Sequence, residues 1–234
     1  GQLRPVVWSC DEALCGSMKI SLTALAPVAV GDSLAAQLFG QRATFVVNGA
    51  PPFVRRGVVS AVGIGNTHDA DFVELVLTIV PRLDLMKLRK TSRIFQGKTT
   101  VDVLAALAAE WQLPCEMRLS KAYGRRRYIS QYRETDFEFL GRITARDGIG
   151  YFLEHAELGP GEGERPGDEK LVFYDHEQAY PSIPMGADLA RADRLVVDRE
   201  SFEAHEHHVA GFRLDRSIVP ELVRLGDFDF NKPR

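Results

Sequence analysis

Residues 135–155 read Thr135-Asp136-Phe137-Glu138-Phe139-Leu140-Gly141-Arg142-Ile143-Thr144-Ala145-Arg146-Asp147-Gly148-Ile149-Gly150-Tyr151-Phe152-Leu153-Glu154-His155. Within this stretch the period of the apolar residues changes. Phe137, Leu140, Ile143 and Thr144 fall at helical spacing on one side. From Ile149 onward the chain reads as a strand. Thr135 or Asp136 can cap the helix, because a short side-chain oxygen satisfies amides that lack partners in the first turn. Gly148 can end it, since glycine enters the left-handed backbone region without a Cβ clash. A capped helix running straight into a strand marks an α/β unit.

Upstream, Thr99 or Thr100 can cap another helix over residues 101–113, which Pro114 stops. Its expected apolar stripe is Val101, Leu104, Ala105, Ala108 and Trp111. Short strands are expected at 116–119 and 127–132, separated by a basic turn. Downstream, residues 157–169 are glycine, proline and charge with few apolar anchors, which predicts an exposed hairpin loop closed by a strand at 171–174. More short strands are expected from residue 195 onward.

The first ninety residues read as β-structure. Met18, Ile20, Leu22 and Ala24 alternate with Lys19, Ser21 and Thr23. Residues 32–38 can hold a turn or a short helix. A strand at 43–47 meets Asn48-Gly49, a hairpin signal because both residues tolerate positive φ, and residues 53–64 resume an extended run. In residues 71–80 one alternating face is Val73, Leu75, Leu77 and Ile79, wholly apolar, and is the expected core face. Strands around two central helices predict an α+β, mainly β fold.

Composition narrows the function classes. In 234 residues, 29 basic and 32 acidic side chains give a net charge of −3, too balanced for a global field that would hold nucleic acid or an acidic membrane. No window approaches the roughly 20 apolar residues needed to span a bilayer. The opening Gly1-Gln2-Leu3-Arg4-Pro5 lacks a basic-then-apolar secretion signal. Cys10, Cys15 and Cys115 are an odd set without a CxxC pair, so the expectation is reduced thiols, although a Cys10–Cys15 bridge is sterically conceivable.

Several residue groups invite a chemical reading. In a strand, His205 and His207 of His205-Glu206-His207-His208 share a face and could hold a divalent metal for a hydrolase. That chemistry needs a third ligand, and no HExxH is present, so solvated surface histidines are the simpler expectation. Arg125-Arg126-Arg127, with Tyr123 and Tyr128 close by, could meet phosphate and bases. The competing expectation is a hairpin turn facing water or an acidic partner. Asp136 and Glu138 could form a glycosidase pair, but at a helix N-terminus the dipole already favours negative charge. No GxGxxG, P-loop or GxSxG motif occurs.

Longer segments carry a family resemblance. They are Pro81-Arg82-Leu83, Ser92-Arg93-Ile94-Phe95-Gln96-Gly97-Lys98-Thr99, Gln131-Tyr132-Arg133-Glu134-Thr135-Asp136-Phe137-Glu138-Phe139-Leu140, Asp147-Gly148-Ile149-Gly150-Tyr151-Phe152-Leu153-Glu154-His155 and Asp227-Phe228-Asp229-Phe230-Asn231-Lys232-Pro233. In order and spacing the chain resembles the VgrG family of type VI secretion spike proteins, whose N-terminal part is like the hub of contractile phage tails. The resemblance implies a β-barrel over 1–90, an α/β insert with two helices and a β-hairpin over 91–185, and the beginning of a second β-barrel over 186–234. It implies a homotrimeric, non-enzymatic hub at the tip of a tube of hexameric rings, supporting the spike or needle and effector delivery. No cofactor, resident metal, nucleic acid or stable membrane anchor belongs to that reading. Assembly is expected in the cytoplasm, followed by secretion or injection through the contractile machine. The sequence stops just after Asn231-Lys232-Pro233, so the expectation is a piece of a longer protein with a truncated second barrel, or else a shortened hub from a related particle.

Overall fold

The computed structural model describes residues 3–48, 52–67, 71–156, 169–180 and 213. The chain divides into two units, Gly1–Pro184 and Met185–Arg234. All the elements below belong to the first.

Five strands, β1 (Arg4–Glu12), β2 (Met18–Pro27), β3 (Arg42–Val47), β4 (Phe53–Thr67) and β5 (Phe72–Val80), form one antiparallel sheet in the order β1-β2-β5-β4-β3. It is a curled half-barrel. Register shifts between Pro5 and Val7 on β1, and between Val59 and Ala61 on β4, bend the strands locally and increase their twist. Met18, Ile20, Val59, Leu77 and Ile79 are buried on the core side. Helix α1 (Gly31–Leu38) extends that core, with Leu34 and Ala35 packed beside Ala26, Val73 and Leu75. The apolar face read from residues 71–80 is therefore the buried one. Strand β1 is not legible in the residue pattern: eight of its nine residues are exposed, so it carries no alternation in burial.

The next hundred residues build around β6 (Lys90–Lys98), α2 (Thr100–Glu110), β7 (Cys115–Arg118), β8 (Arg126–Thr135), α3 (Asp136–Asp147), β9 (Gly150–His155) and β10 (Glu169–Tyr174). Strands β6 and β8 make an antiparallel ribbon. Strand β10 lies between β7, to which it is parallel, and β9, to which it is antiparallel. Two capping boxes start the helices. Thr99 Oγ1 accepts from the Asp102 amide at 3.0 Å while Asp102 Oδ2 accepts from the Thr99 amide at 2.9 Å. Thr135 and Glu138 repeat the arrangement at 3.2 and 2.7 Å. Gly148 ends α3 at φ 68°, inside the left-handed region.

Three local expectations are corrected. The buried side of α2 is Thr100, Val103, Leu104, Leu107 and Ala108, rather than the stripe through Val101 and Ala105, because α2 is apolar nearly all round and its spacing alone is ambiguous. On α3, Phe139 rather than Phe137 is fully buried, stacked 5.9 Å from Phe95 of β6. The run 92–99, short and polar as a crossing between a β-domain and a helical insert would be, is instead mostly strand β6. The α+β, mainly β class stands.

Candidate functional site

Among the described residues, Asp136 is the clearest case of a buried charge neutralised by its neighbours. Its side chain is 0% exposed and both its oxygens are hydrogen-bonded twice. Oδ1 accepts from Gln131 Nε2 at 2.8 Å and Arg93 Nη2 at 3.2 Å, and Oδ2 accepts from Arg89 Nε at 2.6 Å and Trp111 Nε1 at 2.9 Å. Burial pushes the Asp136 carboxyl up, but the bonds from Gln131, Trp111 and Arg89 outweigh it, so the net direction is down and the group stays ionised. Glu110 receives Arg93 at 2.8 Å and also binds Arg89. These groups tie β6, α2, β8 and α3 into one clamp. A carboxylate with no free lone pair cannot act as base or nucleophile without breaking the clamp. Capping explains Glu138 but not Asp136.

Glu169, 3% exposed, accepts from the Arg82 amide at 2.7 Å and from Arg82 Nε at 3.0 Å. Burial still raises its carboxyl above the usual range, against the lowering effect of Arg82. Arg82 Nη1 also donates to the Gln112 carbonyl at 2.9 Å. His155 Nδ1 accepts from the Arg56 amide at 3.2 Å, and burial, with Arg55 and Arg56 adding to it, brings the imidazole down to about 4. It is a neutral, structural histidine.

His205 and His207 lie outside the described residues. Among the described residues no group of three or more His, Cys, Asp or Glu is placed to hold a metal. Cys10, Cys15 and Cys115 are free thiols. The basic run is not a hairpin turn: Arg126 and Arg127 open β8, which pairs with β6, whereas β7 pairs with β10. Arg126 binds Asp147 at 2.5 Å, and Arg125 Nη1 donates to the Gly97 carbonyl at 2.9 Å. A cleft of about 520 Å³ opens beside the β1–β2 turn, lined by Glu12, Leu14, Met18, Phe152, Leu153 and Tyr180 among others. Its carboxylate, Glu12, is held by Arg55 through two contacts of 2.8 Å.

Surfaces and edges remain. Strands β1 and β3 are the outer strands of the curled sheet. Val6, Val7 and Trp8 of β1 are exposed large apolar residues, and Trp8 reaches Phe45 of β3 at 5.1 Å and Phe53 of β4 at 6.3 Å. Residue spacing carries no sign of this grouping, since the partners sit on strands far away in the chain. The curled sheet therefore presents an outer strand with apolar side chains at its edge.

The chain belongs to the phage tail baseplate hub (GPD) family, whose profile matches residues 11–234. Among curated proteins it is 31% identical over 208 residues to the actin cross-linking toxin VgrG1 of Vibrio cholerae, covering 87% of this chain and 17% of that protein. It is 27% identical over 178 residues to the type VI secretion system spike protein VgrG1b of Pseudomonas aeruginosa, covering 76% of this chain and 22% of that protein. The chain thus spans about a fifth of the length of these relatives. In fold it is similar to the E. coli c3393 protein, described as a component of the type VI secretion system with structural similarity to the T4 bacteriophage tail proteins gp27 and gp5. The TM-score is 0.66 at 18% identity, over 76% of this chain and 48% of that one. A chain of the Francisella PdpA–VgrG complex aligns with a TM-score of 0.51 at 14% identity, over 75% of this chain and 28% of that chain.

Proposed function

We propose that this chain is the hub portion of a type VI secretion spike or a related tail-like injection machine, and that it works as a rigid, non-enzymatic homotrimer at the tip of a hexameric tube. The observation that carries the reading is the exposed edge of the curled sheet, where β1 presents Val6 and Val7 to solvent. An unpaired strand edge with apolar side chains favours pairing with another chain. At about 25 cal/mol per Å² of apolar surface, an interface has to bury many hundreds of Å² to outweigh an association cost of about 4–15 kcal/mol. In this reading residues 1–90 form the first barrel, 91–185 the insert and 186–234 the opening of a second barrel. The likeness to VgrG proteins supports assembly in the cytoplasm and export through the machine, with an effector carried by the same spike.

The test is the mass in solution. Light scattering is expected to give three times the chain mass at high protein concentration. Val7→Glu should shift the population toward monomer while circular dichroism stays unchanged. A monomer at every concentration, or a Val7→Glu variant that assembles as before, overturns the reading.

A further inference from the structure

The β6–β8 ribbon turns one face to the core and one to water. Ile129 and Gln131 are each 1% exposed on the inner face, whereas Tyr128 and Tyr132, which flank them along β8, are 51% and 68% exposed. On β6, Phe95 packs inward and Ile94 is 61% exposed beside Ser130. The register shifts between Thr91 and Arg93, and opposite that shift Arg133 takes φ 49°, with its amide donating to Ser92 Oγ at 3.0 Å. A bulge of this kind re-aims a side chain. Here it lays the Arg133 guanidinium over the Tyr132 ring at 5.4 Å, and at the other end Arg127 lies over Tyr128 at 5.3 Å.

Arg89, Arg93, Arg126 and Arg142 all have carboxylate partners. Among the described residues, Lys90, Lys98, Arg125, Arg127 and Arg133 have no ion-pair partner within 4.0 Å. Asp102 acts electrostatically on Arg125 and Lys98, and Glu138 on Lys90, which leaves the Arg127 and Arg133 guanidinium groups as the positive charges beside three exposed apolar side chains, in a chain whose net charge is −3. Tyrosine and arginine are the residue types that dominate protein interfaces.

We infer that the outer face of this ribbon docks an acidic, extended segment of a partner protein. Carboxylates of that segment meet the Arg127 and Arg133 guanidinium forks, and its apolar side chains lie against Ile94, Tyr128 and Tyr132. The two tyrosine rings already carry a guanidinium over one face, which leaves the forks available to carboxylate and narrows the room for stacked bases. The inference is independent of the trimer reading, because it uses the β6–β8 ribbon and not the β1 edge.

Fluorescence anisotropy with the full chain tests it, using a labelled peptide of alternating Glu and Val, the same peptide with Lys for Glu, and oligothymidine. The Glu-Val peptide is expected to bind and to weaken at higher salt. Arg127→Glu and Tyr132→Ala should each lower its affinity about tenfold or more without moving the melting temperature. Failure of the Glu-Val peptide to bind at low salt overturns the inference. So does equal binding of the Lys-Val peptide, tighter binding of oligothymidine, or full binding by both variants.

Discussion

The ring of Trp8 on β1 lies 5.1 Å from the ring of Phe45 on β3, although these are the two outermost strands of the five-stranded sheet. The curl that brings them together is closed by side chains rather than by a hydrogen-bonded ladder. Arg55 of β4, which binds Glu12 of β1 and stacks 4.1 Å over Phe53, reinforces the same closure.

That closure predicts measurable coupling. Trp8→Ala and Phe45→Ala should each destabilise the chain by about 1–3 kcal/mol in urea unfolding, and the double variant by less than their sum. The coupling expected of an edge-to-face aromatic pair is about 0.5–1.5 kcal/mol. Strict additivity would show that the rings merely lie near each other.

Asp136 and Glu138 separate clamp from cap. Asp136→Ala leaves the Trp111 indole N–H, the Gln131 amide and two guanidinium groups short of acceptors, and should cost about 3–5 kcal/mol. Glu138→Ala removes one arm of an exposed capping box and should shift the urea midpoint far less. Comparable shifts in the urea midpoint for the two variants would refute the clamp.

His155 sets a pH slope. Its folded pKa of about 4 lies below the unfolded value near 6.5, so between those limits the unfolded chain holds a proton that the folded chain does not. Its contribution to stability is therefore complete above pH 6.5 and falls as pH drops toward 4, by up to about 1.4 kcal/mol per unit. Glu169 acts in the opposite direction, because its carboxyl is raised in the folded state and its contribution fades as pH rises through that value. The difference between wild type and His155→Gln across this window isolates the histidine. A difference that does not change with pH would mean that His155 titrates normally.

Much of the local architecture could be read directly from residue order. The core face Val73, Leu75, Leu77 and Ile79, the hairpin of β9 and β10, and the stop at Gly148 all depend on contacts within one element or between neighbours. Strands β1 and β6 escaped because strands with little burial show no apolar alternation, and β6 is polar as well. Asp136 looked like an ordinary cap residue because its partners Arg89, Arg93 and Trp111 stand 47, 43 and 25 positions away.

The amino-acid order by itself determined the mainly β class, the family and each helix start to within two neighbouring residues, since periodicity, capping chemistry and segment order are local or linear properties. Tertiary structure decided which side of α2 is buried, how Trp8 meets Phe45 and which groups neutralise Asp136. Those outcomes depend on which distant elements pack together, and a side chain's burial and electrostatic partners exist only once that packing has formed.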